Sequence, residues 1–143
     1  RAERELRDRL LRRFPTAIVE QVVALLKAEG QLDDAQFASQ WTTSRESRNP
    51  RSAWAVKREL VARGVDRGVA DDAVRAIDDD EAAYRAGLKA ARTLTGVDSA
   101  TFRRRLSGYL RRRGFSDSVC RRAIERFRDE GQHGDVGTGE GQR

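Results

Sequence analysis

The sequence reads as an all-α chain built from tandem three-helix repeats. Three features support this. Leu6-x3-Leu10, Val56-x3-Leu60 and Leu106-x3-Leu110 each place two apolar residues one helical turn apart, and the units recur fifty residues apart. Each pair is followed by a short break with an apolar residue beyond it (Phe14, Val65, Phe115) and by a second amphipathic run from Ile18, Val69 and Val119. A further match lies 47 residues apart, where Asp34-x2-Phe37-x3-Trp41-x3-Arg45 corresponds to Glu81-x2-Tyr84-x3-Leu88-x3-Arg92. Repetition at this period with no period-two alternation marks a helical array whose units bury their apolar faces against neighbours. Such a chain works as an extended surface more readily than as a pocket.

The elements follow in order. Residues 2–13 form a charged helix with Leu6, Leu10 and Leu11 on one side, broken at Phe14-Pro15 because proline lacks the amide a continuing helix needs. Ile18, Val22, Val23, Leu25 and Leu26 mark a second helix, expected to end near Gly30. Asp33 or Asp34 is expected to cap the next, with Phe37, Ala38 and Trp41 as its stripe. Asn49-Pro50 reads as an N-cap and first-turn proline opening a helix to Arg63. Asp66, Asp78 to Asp80, Asp98-Ser99 and Ser116 supply the remaining starts. Arg63-Gly64-Val65 and Arg113-Gly114-Phe115 fit Schellman endings, with Leu60 and Leu110 placed to touch Val65 and Phe115.

The expected division is therefore an incomplete first repeat over 1–30, a second over 31–77, a third, basic repeat over 78–130, and a disordered Gly-rich tail over 131–143. The second repeat takes helices at about 33–48, 50–63 and 67–77, and the third at about 79–95, 99–113 and 117–130. The chain starts at Arg1 and contains no Met, so a missing or trimmed natural N-terminus is expected.

Charge is unevenly placed. The net charge is +6, yet residues 101–128 hold ten arginines against Asp117 and Glu125, so that segment carries +8 and the remainder −2. A localised basic block reads as a contact surface for a polyanion or an acidic partner. No apolar run approaches the roughly 20 residues of a membrane span. With no signal segment and a lone cysteine, Cys120, the expectation is a cytoplasmic monomer.

Catalytic chemistry finds little support, and no enzyme activity, metal or cofactor is expected. The one histidine, His133, lies in the Gly-rich tail, and no metal-ligand spacing or nucleotide-binding glycine loop is present. Asp71-Asp72 and Asp78 to Glu81 are acidic clusters able to bind a cation, and the second reads better as a solvated helix start favoured by the helix dipole. In the arginine block, Phe102, Leu106, Tyr109 and Leu110 form an apolar arc, and arginines cover the rest of the circumference. Arg103, Arg104, Arg105, Arg111, Arg112, Arg121 and Arg122 are the candidates for phosphate or carboxylate contact. Tyr109 and Phe115 read as core, so aromatics interleaved for base stacking are not indicated. Trp41 fits the stripe with Phe37, and Trp54 is expected to pack on a neighbouring repeat, an exposed anchor being the sharper alternative.

Gly30-x-Leu32-Asp33-Asp34-x2-Phe37-Ala38-x2-Trp41-x2-Ser44-Arg45, followed by Glu59-Leu60-x2-Arg63-Gly64-Val65, resembles the RecX family of recombination regulators. Leu110-x2-Arg113-Gly114-Phe115 resembles that family's C-terminal motif, and the similarity runs from about Glu5 to Phe127. The resemblance implies an elongated, curved array of three-helix repeats. It further implies binding to the RecA nucleoprotein filament, with inhibition of its ATPase, strand-exchange and co-protease activities. Contact with RecA is implied, and contact with DNA through phosphates stays open. Asp33, Asp34, Phe37, Trp41 and Arg45 carry the family motif and are expected mainly to set the turn and the repeat packing. The chain departs from the pattern in lacking the helix that opens the first repeat and in ending that repeat at Phe14-Pro15 without a preceding glycine. A general DNA-binding helical module acting without RecA is the alternative reading.

Overall fold

The structure, a computed structural model, describes the backbone of residues 2–140 and the side chains of residues 3–131. Among the described residues it holds seven helices and no strand: α1 (Ala2–Leu11), α2 (Thr16–Arg48), α3 (Ala53–Ala62), α4 (Arg67–Val74), α5 (Asp79–Thr93), α6 (Ser99–Arg112) and α7 (Asp117–Glu140). Two cores form. One gathers Ala38, Val56, Leu60, Val65, Ala70 and Val74 from α2, α3 and α4. The other gathers residues of α5, α6 and α7 around Leu106, Leu110, Phe115 and Ile124. The architecture is all-α and made of three-helix repeats, as the periodicity requires.

Both glycine turns have Schellman geometry. Gly64 and Gly114 have φ of 93° and 90°, a region open to glycine at little steric cost. The Val65 amide donates to the Leu60 carbonyl at 3.1 Å, and the Gly64 amide to the Val61 carbonyl at 3.0 Å. The Phe115 and Gly114 amides repeat the pattern on Leu110 and Arg111 at 3.2 and 2.9 Å. Leu60, Leu110, Val65 and Phe115 are all buried, so the fifty-residue leucines pin their turns through backbone bonds and core contact together. In the first repeat the Phe14 amide returns to the Leu10 carbonyl at 2.9 Å, and the Pro15 carbonyl then accepts from Ile18 and Val19 at 3.1 Å to start α2.

Two expectations are corrected. The break near Gly30 is absent, because α2 runs through Gly30 and Asp33-Asp34 as one helix. Gly30 does not take positive φ, and a lone glycine in a helix costs only about 1 kcal/mol, too little to end a helix whose flanks both pack. Asp33 and Asp34 are therefore mid-helix and cap nothing at that point, and the expected boundary between residues 30 and 31 falls inside α2. The helix expected to open at Asn49-Pro50 starts instead at Ala53. Asn49 closes α2 through its amide to the Arg45 carbonyl, and Ser52 is the N-cap of α3, its hydroxyl accepting from the Ala55 amide at 3.0 Å.

Caps at Asp66 and Asp78 match the start signals, each carboxylate accepting from two amides of the following turn. The backbone of α7 is helical to Glu140; otherwise the tail expected from residue 131, with His133, lies outside the described residues. Ile18, Val22, Leu25 and Leu26 of α2 are 37–65% exposed, and no helix among the described residues covers them. The α7 counterparts of Ile18, Val22 and Leu26, namely Val119, Ala123 and Phe127, are buried in a core shared with α5 and α6. No helix among the described residues is long and apolar enough to cross a membrane.

Candidate polyanion-binding site in the third repeat

Helical spacing sorts the arginines of α6 and α7. Leu106 and Leu110 are wholly buried, which fixes the rotation of α6 and leaves Arg103, Arg104, Arg105, Arg111 and Arg112 exposed. Arg103, Ser107 and Arg111 stand on successive turns and face Arg121, Glu125 and Arg128 of α7 across a groove of about 390 Å³. Cys120 and Ile124 line its floor, and Asp117 stands at one end. Arg104, Arg105 and Arg112 point the other way, into a groove of about 380 Å³ between α6 and α5, opposite Ala90, Thr93 and Leu94. Arg122 joins neither; its Nε lies 2.9 Å from Asp80 Oδ1 of α5. The seven candidates thus divide into two sets of three and one ion-paired outlier.

The pairing pattern separates available cations from structural ones. Arg111 Nη2 is 2.9 Å from Asp117 Oδ1. Arg126 bonds Glu81 at 3.0 Å, lies 3.7 Å from Glu130 and stacks 3.5 Å over the Tyr84 ring. Glu130 also accepts from the Tyr84 hydroxyl, which holds that phenol above its ordinary pKa. Among the ion pairs of the described residues, none involves Arg103, Arg104, Arg105, Arg112 or Arg121. Arg128 was not among the candidates, yet it lines the α6–α7 groove, where its Nη2 donates to Ser99 Oγ at 2.7 Å. Its spacing of seven from Arg121 is the signal that places it there.

Arg113 has a different role. Its Nε donates to Asn49 Oδ1 at 3.2 Å, and its guanidinium lies 3.6 Å over the Tyr109 ring. Its carbonyl accepts from the Ser52 amide at 3.2 Å. The Ala53 amide donates to Asp79 Oδ1 at 2.9 Å, and Arg85 Nη2 to the Glu46 carbonyl at 2.7 Å. These bonds form a seam that fixes the third repeat against the second.

The family-motif residues do not converge on a ligand site. Trp41 and Arg45 meet Glu59 of α3: the indole Nε1 donates at 3.3 Å, and Arg45 Nε donates at 3.1 Å while its Nη2 reaches the second oxygen. Arg63 lies 4.1 Å over the Trp41 ring, and Phe37 packs against it at 6.0 Å between centroids. Asp34 Oδ2 accepts from the Asp66 amide at 3.5 Å, while Asp33 is exposed. Glu59 is thus the hub of the motif, joining the first and second helices of its repeat.

Trp54 meets the neighbouring repeat along one edge only and is otherwise open. It is 59% exposed: one edge rests near the Gly114 turn, and the Arg58 guanidinium lies 4.8 Å from the ring centroid. Its place off the Val56–Leu60 line, two residues before Val56, is the sequence signal for that exposure. Cys120 is buried beneath the arginine groove, and burial pushes its thiol pKa up. Among the described residues no group of three or more His, Cys, Asp or Glu side chains is arranged to hold a metal ion.

Comparison with known proteins agrees with this architecture. The family models described as RecX, second three-helix domain, and RecX, third three-helix domain, match residues 33–74 and 78–124. The chain is 32% identical to the regulatory protein RecX of Chlorobium limicola over 124 residues, which is 86% of this chain and 78% of that protein. It is 36% identical to the regulatory protein RecX of Mycobacterium avium over 125 residues, 84% of this chain and 72% of that one. The crystal structure of RecX from Lactobacillus salivarius shares the fold, with a TM-score of 0.60 over 87% of this chain and 83% of its own at 18% identity.

Proposed function

The chain belongs to the RecX family of regulatory proteins, and we propose that it binds the RecA nucleoprotein filament in the cytoplasm and inhibits its recombinase, ATPase and co-protease activities. On this reading the protein acts by occupying a surface, without chemistry of its own, and so modulates recombination and repair. The observation that carries it is charge placement: ten arginines fall within residues 101–128, and five of the seven candidates have no partner among the described ion pairs. Guanidinium groups facing one another from α6 and α7 suit phosphates or clustered carboxylates, because each offers a planar fork of donors. Each phosphate neutralised by such a group releases counterion and makes binding salt-sensitive.

The test separates the grooves. One variant carries Arg103→Ala and Arg121→Ala, the other Arg104→Ala, Arg105→Ala and Arg112→Ala. Each is assayed for inhibition of DNA-dependent ATP hydrolysis by RecA over a range of salt. Loss of inhibition with a shallower salt dependence in either variant assigns the contact to that groove. Full inhibition with unchanged salt dependence in both removes the third repeat from the contact. Binding to duplex and single-stranded DNA with RecA absent decides between this reading and a RecA-independent DNA-binding module. Weak binding that strengthens on filaments supports the regulator.

A further inference from the structure

We infer that Trp54, backed by Arg58, is a base-stacking platform that extends the α6–α7 arginine groove onto the second repeat, so that single-stranded DNA is held by both phosphates and bases. The inference rests on the reading of that groove as a phosphate-contact surface. It adds a recognition element on a different repeat and of a different chemistry.

The argument starts from exposure. Trp54 is 59% exposed, the most open of the exposed large aromatic side chains. Trp41 carries two guanidinium groups, at 4.1 and 5.2 Å, Tyr109 has Arg113 at 3.6 Å, and Tyr84 stacks on Phe127 at 4.8 Å. Trp54, by contrast, carries one cation and lies more open than Phe14 or Phe37. A large apolar ring left in water contributes little to folding, and covering it with a partner removes that surface from solvent.

The ring is also held in place. A β-carbon on Gly114 would lie 3.5 Å from Trp54 Cε3, so the indole edge runs along the glycine turn in space that a side chain would fill. One contact in the turn and one cation 4.8 Å from its centroid leave the rest of the ring open.

Location selects the partner class. The Gly114 turn joins α6 to α7, and its two flanks, Arg111 and Asp117, form one end of the arginine groove. A chain lying along Arg103, Arg121 and Arg111 therefore arrives at the turn on which Trp54 rests. An exposed aromatic face with Arg58 on it, at the end of an arginine-lined groove, favours a polyanion carrying flat rings, and single-stranded DNA has both charge and rings. Duplex DNA keeps its base faces stacked inside and cannot use the platform.

The test compares an oligothymidylate with an abasic strand of the same length, with RecA absent, by fluorescence anisotropy of the labelled strand. Stacking on one aromatic ring predicts that the wild-type protein binds the oligothymidylate about 5- to 150-fold tighter than the abasic strand. Trp54→Ala abolishes that preference while leaving abasic affinity and its salt dependence unchanged. Trp54→Leu, which keeps apolar contact with the turn, does the same, and Trp54→Phe retains most of the preference. A preference equal in wild type and Trp54→Leu overturns the inference, as does an equal loss on both strands. Weakened inhibition of RecA by Trp54→Leu with base preference intact would assign the ring to a protein contact and also overturn it. Failure of the arginine variants to alter RecA inhibition is a separate readout, so the failure of the groove reading is distinguishable from the failure of the platform.

Discussion

Replacing Gly64 and Gly114 by alanine, one at a time, measures what the seam between the second and third repeats contributes to stability. The two glycines have nearly the same conformation, φ of 93° and 90°, and the same Schellman bonds. A β-carbon on Gly64 meets nothing within 4 Å. Its cost is therefore conformational: about 1–2 kcal/mol for an L-residue in the left-handed region, partly offset by the lower unfolded-state entropy of alanine, leaving about 1 kcal/mol. A β-carbon on Gly114 would lie 2.5 Å from Ser52 Oγ and 2.6 Å from the Ala55 β-carbon. The Ser52 hydroxyl can rotate away only by releasing its cap on Ala55, worth about 1 kcal/mol. The Ala55 β-carbon has no rotamer, so α3 itself must retreat about 1 Å to reach ordinary contact near 3.5–4.0 Å. Overpacking of this kind costs roughly 1–3 kcal/mol. Gly114→Ala is thus expected to destabilise by about 3–5 kcal/mol, against about 1 kcal/mol for Gly64→Ala, when strain, cap and overpacking are taken together. In urea denaturation, with a dependence near 2 kcal/mol per M, the two midpoints should differ by about 1–2 M. Coincident midpoints would falsify the close approach of α3 to the Gly114 turn, and with it the account of the seam.

Two further outcomes follow from part-buried and buried groups. Glu59→Gln keeps an acceptor for the Trp41 indole but removes the charge that Arg45 grips with two nitrogens, in a cluster whose Glu59 and Arg45 side chains are 18% and 26% exposed. A loss of about 2 kcal/mol is expected, read as a fall in Tm of roughly 6–10 °C for a chain of this size. An unchanged melting curve would show that the pair contributes nothing to stability. For Cys120, burial raises the thiol pKa, so the folded state keeps its proton where the unfolded state has lost it. The stability this protects is fully present below the ordinary thiol range and declines as pH rises through it. Cys120→Ala should flatten that decline, and a maleimide should label the native thiol only on unfolding. Rapid labelling of the folded protein contradicts its burial.

The repeat was legible because its signals are short-range and redundant. Leu60-Val65 and Leu110-Phe115 each combine an apolar pair with a glycine that must take positive φ, and few other structures accept that combination. The break at Gly30 was not legible in the same way. A glycine there satisfies a helix interior as well as a helix end, and the choice is made by packing on both flanks of α2, which local sequence does not encode. Asn49-Pro50 misled for a related reason: Asn49 serves the end of one helix and receives Arg113 from 64 residues away. Trp54 was ambiguous because its exposure depends on where the Gly114 turn of the next repeat comes to rest. Glu59 could have been found, since it stands one position before the pinned Leu60, but its partners Trp41 and Arg45 belong to another helix.

The same reasoning separates charge runs from charge surfaces. Arg111, Arg112 and Arg113 are consecutive, yet they enter three environments: the α6–α7 groove, the α5–α6 groove and the seam. Arg103 likewise parts from Arg104 and Arg105. Successive side chains of a helix diverge by about 100°, so a run of three arginines cannot present one face. The groups that do gather are spaced by eight and seven, Arg103 with Arg111 through Ser107, and Arg121 with Arg128 through Glu125. Substituting Arg103 to Arg105 together would therefore weaken two grooves at once and could not say which one contacts a partner. Substituting Arg111 to Arg113 together would also release Asn49 and Tyr109 from Arg113, so that lost inhibition would reflect an opened seam as much as a missing contact. Arginines chosen by groove rather than by run leave the seam closed, and only then does a change in salt dependence report phosphate contacts alone.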